Sequence, residues 1–415
     1  MRGSGWVLAA QVANLGLGLG FGVAVARTLG PRGQGLLALA LLPLQAWVLV
    51  AAIGGSAAIT FLLRRGRPPG AVLGWAAALG LAVGGGAVLL LALWPGAEAS
   101  LKGTGIVHPW ALALWVPASV WSGALGSYWL ARGAVRRYFL VAAAPRAAQL
   151  GGLGLLWAVH RLSVGHLLAV AVTAPWTAVA VGIPAAARAI TWSSPVAGEA
   201  LAYGMRGHWG NVSQFLNYRL NLYLVGRWDS AADAGRFWLV LNLAELLWYL
   251  PAATAALWFP AVAGAEKVPR ETAAEARRLG WLGVGMAAAM AALAPAVIPR
   301  VWGPGYRPAV ALLWAVLPGA ALFAWSKIWA ADLAGRGHPQ WGTWSSLAGL
   351  AVVVIVAVGG GAKSPLALAA GQSISYAVST GVLGVGFRRL HPEVSWRALW
   401  WSRGPSASSE EVRTP

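Results

Sequence analysis

The chain has 415 residues, of which 58% are hydrophobic and only 10% charged, with a mean hydropathy of +0.64. Soluble proteins carry about a quarter charged residues, so this composition excludes a water-soluble enzyme. Because ~20 consecutive apolar residues cross a bilayer, the length leaves room for about a dozen spans and no separately folded soluble domain. A net charge of +19 raises nucleic acid as a partner, but the Arg and Lys residues are strung between apolar runs rather than gathered on one basic face.

Apolar runs between charged or Gly/Pro-rich breaks predict twelve spans, at 6–26, 36–63, 71–95, 109–131, 138–159, 166–187, 207–226, 236–263, 279–301, 308–333, 341–362 and 366–387. Ala24-Val25-Ala26 resembles a signal-peptidase site, but the apolar run before it exceeds a typical signal-peptide core and a second span follows at once. With the N-terminus inside, nineteen basic residues fall on the inner segments and nine on the outer ones. The positive-inside rule then places both termini in the cytoplasm. After Phe387, the tail carries Trp396, Trp400 and Trp401 beside Arg397 and Arg403, which suits an interfacial anchor, and its last dozen residues read as disordered. Most of the 26 tryptophans lie near segment ends, as interfacial belts require.

An offset of 200 residues aligns Gln11 with Asn211, Asn14 with Gln214, Arg27 with Arg227, Gly35 with Gly235 and Gln45 with Glu245. The chain therefore reads as a duplication, with a first six-helix lobe over 1–190, an inter-lobe cytoplasmic linker over 191–205, a second six-helix lobe over 206–388 and a tail over 389–415. An even number of spans per lobe gives both halves the same orientation. The predicted fold class is an all-α polytopic membrane protein with two pseudo-symmetric lobes.

The seventh span holds the most costly residues. At about 100° per residue, His208, Asn211, Gln214, Asn217, Tyr218, Arg219 and Asn221 cover one side of the helix, while Val212, Leu216, Leu220 and Leu224 share the other. Amides in a membrane helix either bond neighbouring helices or line a polar cavity, and Arg219 favours the cavity. In the eighth span Trp238, Asn242, Glu245 and Tyr249 form one line. Glu245 is placed either to pair with Arg219 or to titrate in ion coupling. Asp332 lies near the inner end of the tenth span, where Lys327 is a potential partner, and Arg146 follows Pro145 in the fifth span. Arg146, Arg219 and Lys327 facing inward make a net positive cavity, which predicts an anionic cargo.

Enzyme signatures are largely missing. The six histidines lack metal-ligand spacing, GGGAKS at 359–364 lacks the glycine that a phosphate-binding loop needs before its lysine, and no nucleophile elbow is present. Zero cysteines exclude disulfides, thiolate metal sites and cysteine nucleophiles. No cofactor or metal is expected.

The stretch GHWGNVSQFLNYRLNLYLVG, followed by AGRFWLVLNLAELLWYLPAATAALWFPAVA, resembles the seventh and eighth helices of bacterial polysaccharide (oligosaccharide) flippases of the multidrug/oligosaccharidyl-lipid/polysaccharide exporter superfamily. VARTLGPRGQGLLALALLPL is similar to that family's joint between helices one and two, and WGPGYRPAVALLWAVLPGAALF and LAGRGHPQ to its segments around helix ten. The chain departs from the pattern at Asn221, where the family often has Asp, which weakens a proton-coupling role there.

The resemblance implies two six-helix lobes around a central cavity that opens alternately to either side. It implies an oligosaccharide on a polyprenyl pyrophosphate as cargo, flipped across the bacterial cytoplasmic membrane for surface polysaccharide assembly. H+ or Na+ would be the coupling ion, with membrane lipids and polysaccharide-assembly proteins as further partners. On this reading Arg146, Arg219 and Lys327 attract the head group, and Asn211, Gln214, Asn217, Tyr218 and Asn221 contact sugar. Glu245 and Asp332 serve charge balance or coupling. An ion-coupled drug/cation antiporter of the same superfamily and a membrane glycan polymerase or ligase are the alternatives.

Overall fold

The computed structural model of the chain describes residues 2–53, 55–93, 109–191, 196–263 and 268–401. Among them the structure is helical throughout, with no strand. The helices are α1 (Arg2–Ala52), α2 (Gly55–Arg64), α3 (Pro69–Leu93), α4 (Pro109–Ala131), α5 (Val135–Ala158), α6 (Val164–Thr173), α7 (Pro175–Gly182), α8 (Ala197–Trp228), α9 (Ala231–Glu245), α10 (Tyr249–Ala263), α11 (Pro269–Val301), α12 (Ala309–Gly335), α13 (Gln340–Val358), α14 (Pro365–Leu390) and α15 (Trp396–Trp400). Every apolar run singled out in the sequence falls on one or two of them. Nine stretches among the described residues are long and apolar enough to cross a membrane, so the chain is a multi-pass membrane protein. The seventh run, within α8, is not one of the nine, because its amides and arginines lower the hydropathy.

Three boundaries differ from the sequence reading, each for a backbone reason. The first two spans meet without a loop, in a kink at Gly30 (φ 66°). Pro31 pushes the residue before it out of the helical region, and glycine tolerates the conformation that results. The second span breaks again at Ile53, before α2. In the eighth span α9 tightens into a 3-10 turn at Leu246–Trp248 before α10 resumes. Pro251 lies four residues beyond Leu247, and a proline ring clashes with the carbonyl one helical turn before it. The predicted line Trp238, Asn242, Glu245, Tyr249 is thereby broken: Tyr249 is exposed, and Trp248 is buried instead.

The helices divide into two compact units, one comprising residues 1–215, 222–238 and 298–307, the other 216–221, 239–297 and 308–415. In a bilayer, apolar side chains gain little by leaving lipid for one another, so helix contacts depend on close packing and on hydrogen bonds. In the first unit Ile59, Leu62, Val72, Trp75 and Leu125 join α2, α3 and α4, while Leu37, Leu44, Val116, Leu153 and Leu167 join α1, α4, α5 and α6. The expected linker is helical from Ala197 onward and is docked in this unit. Glu199 pairs with Arg65 (3.4 Å) and Arg67 (2.7 Å), and Tyr203 stacks on Phe61 at 3.9 Å.

In the second unit Trp325, Ile328, Trp329, Leu383, Phe387 and Leu399 form the core. Trp325 and Trp329 are thus packing residues rather than members of an interfacial belt. The tail is partly core as well: Val394 and Leu399 are buried, the Trp400 ring lies 5.3 Å from that of Trp329, and Trp281 Nε1 donates to the Trp400 carbonyl at 3.0 Å. Trp396 and Trp401 remain exposed. The terminal stretch read as disordered lies outside the described residues.

The two halves repeat a turn. Gly133 (φ 70°) and Gly337 (φ 88°) end α4 and α12 in the left-handed conformation, and the next amide bonds back to Trp129 and Leu333 respectively. This satisfies carbonyls that a helix end leaves unpaired.

Candidate functional site

The polar residues of the second unit gather where α8, α9, α12 and α14 meet. Arg219 Nη1 lies 3.0 Å from Glu245 Oε1, both side chains partly buried, so the pairing foreseen for Glu245 forms. The α9 turn at Leu246–Trp248 then brings Trp248 inward, where its Nε1 donates to the Ala320 carbonyl at 2.8 Å. Ala320 is two residues beyond Pro318, and the neighbouring Gly319 amide donates to Ser373 Oγ at 2.7 Å. Side chains of other helices therefore satisfy the backbone next to the proline, which is how membrane helices tolerate such residues.

Around Lys327 stand four aromatic rings. Its Nζ is 4.4 Å from the Phe323 ring centroid, 5.2 Å from that of Trp248 and 5.8 Å from that of Tyr218, and it donates to Tyr218 Oη at 3.2 Å. Tyr376 closes the group, 4.9 Å from Trp248 and 5.2 Å from Phe323. Lys327 does not pair with Asp332. Five residues separate them on α12, about 140° around the helix, so their side chains leave in different directions.

Next to this group, Asn217 and Asn221 are buried in an amide and hydroxyl network. Asn221 Nδ2 donates to Gln372 Oε1 at 2.7 Å, Ser375 Oγ donates to Asn217 Oδ1 at 2.6 Å, and Gln372 Nε2 reaches the same oxygen at 3.4 Å. These two amides bond α8 to α14. Asn211 is exposed and Gln214 partly buried, both on the part of α8 that belongs to the first unit. Arg146, also of the first unit, donates to Gln149 at 2.9 Å, and its Nε stands beside Gly18.

Asp332 serves elsewhere in the second unit. Fully buried, it accepts from Thr272 (2.9 Å), Arg336 (3.0 Å) and His391 Nε2 (2.9 Å), so its carboxylate ties α11, α12 and the start of the tail together.

The sequence reading missed Trp248, Phe323, Gln372, Ser375 and Tyr376. For α14 the signal was present: Gln372, Ser375, Tyr376, Ser379 and Thr380 recur at helical spacing in an otherwise apolar run, the same test that singled out α8.

A separate cluster in the first unit unites three segments that the sequence reading had noted for the repeat or the family resemblance. Gly35 and Gly235 face each other so closely that a Cβ on Gly35 would overlap the Ala231 carbonyl, and one on Gly235 the Pro31 carbonyl. Arg27 donates to the Arg300 and Val301 carbonyls at the end of α11, where helix carbonyls lack partners and the dipole is negative. Arg236 donates to the Gly305 carbonyl at 2.9 Å and pairs with Asp233 at 2.7 Å. Tyr306 Oη donates to Gln34 Oε1. Burial raises the Tyr306 pKa above its ordinary value of 10.0, against a smaller opposite effect of Arg236, so the phenol stays a donor.

No protein-family profile and no curated protein sequence matches the chain. Solved structures do. A lipid II flippase MurJ in an inward closed conformation aligns with a TM-score of 0.69 at 12% identity, over 92% of this chain and 86% of that one. A MOP-superfamily transporter from Pyrococcus furiosus, described by the reverse polarity of its binding pocket, aligns with a TM-score of 0.69 at 13% identity over 94% of each chain. An inward-facing multidrug resistance MATE transporter aligns with a TM-score of 0.68 at 12% identity, over 92% of this chain and 96% of that one. The chain has the two-lobed MOP transporter fold. In this chain the aromatic and polar cluster of the second unit holds Arg219, Lys327 and Glu245, with Arg219 already matched by Glu245.

Proposed function

We propose that the chain flips a polyprenyl-pyrophosphate-linked oligosaccharide across the bacterial cytoplasmic membrane by alternating access, for surface polysaccharide biosynthesis, with both termini cytoplasmic. The observation that carries this reading is the charge of the second unit's cluster. Glu245 neutralises Arg219, which leaves Lys327 as the excess charge beside four aromatic rings. An anionic head group finds a cation there, and sugar finds the partly exposed Tyr218 ring. Arg146 adds a cationic group in the first unit. A fold shared with a lipid II flippase supports a lipid-linked cargo, and a MOP transporter noted for reversed pocket polarity supports the view that charge sorts cargo within this fold.

In this scheme Arg219 and Lys327 of the second unit attract the pyrophosphate, and Arg146 of the first unit does so separately. Asn211, Gln214 and Tyr218 contact sugar. Asn217 and Asn221 hold α8 against α14, and Glu245 balances Arg219. Asp332 takes no part in coupling, because its carboxylate is committed to Thr272, Arg336 and His391.

The test is reconstitution in vesicles with a fluorescent polyprenyl-pyrophosphate oligosaccharide in one assay and an organic cation in the other. Translocation of the lipid-linked sugar is expected. Transport of the cation without the lipid would establish the antiporter reading, which the MATE neighbours share in fold.

A further inference from the structure

Four rings of the second unit pack against one another, and the box they offer a positively charged guest is the recess on one side of that cluster, over Phe323, Trp248 and Tyr218. Tyr218, Trp248, Phe323 and Tyr376 stand with ring centroids between 4.9 and 6.2 Å of one another. They come from α8, the turn after α9, α12 and α14, so the box has sides from four parts of the chain. Trp248, Phe323 and Tyr376 are buried, while Tyr218 and Lys327 are partly exposed and form its mouth. Ring faces attract ammonium through their quadrupole, and aromatic cages of this kind are the usual receptors for quaternary ammonium ions.

The guest here is the protein's own. Lys327 sits one helical turn after Phe323 and lays its ammonium over three of the rings, with the Tyr218 phenol as its hydrogen-bond acceptor. Among the described residues no carboxylate lies within ion-pair distance of it, since Glu245 is engaged by Arg219. Glu245 acts on it from beyond that distance, and the rings with the Tyr218 phenol are its direct contacts.

We propose that Lys327 is a tethered occupant of an organic-cation site, and that its presence keeps alkylammonium and quaternary ammonium ions out of the second unit. The inference concerns what the box excludes and does not depend on the identity of the cargo. Shortening Lys327 to Ala removes Cγ, Cδ, Cε and Nζ, the outline of n-propylammonium. The vacancy left behind has the outline of that ion, and tetramethylammonium brings the same charge in a rounder shape.

The experiment follows thermal unfolding of the full chain in detergent with n-propylammonium, tetramethylammonium or neutral n-propanol. It compares wild type, K327A, K327S and K327M. K327A and K327S are expected to be stabilised by either cation in a dose-dependent manner, with n-propanol weaker by roughly ten-fold or more, the scale of a desolvated cation–π contact. Wild type and K327M, whose boxes are filled, should not respond. Absence of stabilisation in both shortened variants, equal stabilisation by n-propanol, or the same response in wild type would overturn the proposal. If the shortened variants are recovered folded only when n-propylammonium is present, that rescue supports it. If neither is recovered even with the cation, the box is not a cation site. Lipid translocation by the wild-type protein is read in a separate assay, so failure of this inference and failure of the cargo assignment remain distinct.

Discussion

Arg219 Nη1 and Glu245 Oε1 stand 3.0 Å apart, joining α8 to the last turn of α9. Each makes the other tolerable in the membrane, because an unmatched charge in lipid costs far more than a matched one. R219Q leaves a partly buried carboxylate without its cation, and E245Q the reverse. Each single change is expected to destabilise the detergent-solubilised protein by roughly 1–3 kcal/mol. The double variant R219Q/E245Q should lose less than the sum, read as a positive coupling energy in a thermal double-mutant cycle. Transport should stay impaired in the double variant, since Arg219 is assigned to the cargo; full transport by it would remove that role.

A second expectation concerns the seam between α13 and the amide network. A Cβ on Gly349 would overlap Asn217 Nδ2 and Ser379 Oγ. The Gly349 carbonyl lies 2.9 Å from Ser375 Oγ and shares that hydroxyl's one proton with Asn217. G349A should therefore displace Asn217 from Ser375 and cost about 1–3 kcal/mol, as overpacking commonly does. S375A, which only removes the hydroxyl, should cost about 1 kcal/mol. Thermal unfolding of the two variants side by side checks the order; S375A as damaging as G349A would contradict it.

These relationships differ in how far the sequence announced them. Hydropathy shows the spans because the bilayer imposes one length on all of them. The Arg219–Glu245 pair was foreseeable as one of two roles for Glu245, since a membrane carboxylate needs a partner and a cation stood on the adjoining span. The aromatic box was not. Its Trp248 enters only because Pro251 forces a tighter turn before it, and hydropathy does not register that change of phase. The contact of Gly35 with Gly235 is a different kind of case. The repeat marked both glycines as equivalent, but equivalence in sequence carries no information about touching, and only the tertiary arrangement explains why neither position admits a side chain.

The Asp332–His391 contact at 2.9 Å predicts how the tail is held. Asp332 is fully buried and accepts from three side chains, so removing His391 leaves a carboxylate oxygen short of a donor. H391A is expected to weaken docking of the segment through Trp400 by roughly 1–3 kcal/mol. Limited trypsin digestion followed by mass spectrometry should show faster cleavage after Arg397, while the rest of the fragment pattern is unchanged. Equal cleavage in H391A and wild type would mean that Leu399 and the Trp325, Trp329 and Trp400 rings hold the tail without the carboxylate's help.

The last prediction joins the glycine contact to the tyrosine beside it. Neither Gly35 nor Gly235 has a flexible neighbour that could yield to a Cβ, because the atoms in the way are backbone. G35A must therefore part α1 from α9. The chain has no cysteine, so a thiol introduced by A234C, at a position that is 0% exposed, is the sole labelling site. Maleimide labelling of A234C is expected to be slow and to rise several-fold when G35A is added. Proton linkage gives an independent reading of the same opening. The Tyr306 pKa is raised by burial above 10.0 in the closed arrangement, so the closed form holds the proton more tightly than an opened, solvated one. As pH rises above about 10 the opened form ionises first, and stability of the closed contact falls with increasing pH. Labelling of A234C should accordingly accelerate at alkaline pH. In Y306F the baseline should be higher, because the bond to Gln34 is gone, and the tyrosine-linked acceleration should vanish. Rates are divided by that of an exposed thiol at the same pH, because thiol ionisation itself speeds labelling; an unchanged normalised acceleration in Y306F would show that a group other than this phenol controls the contact.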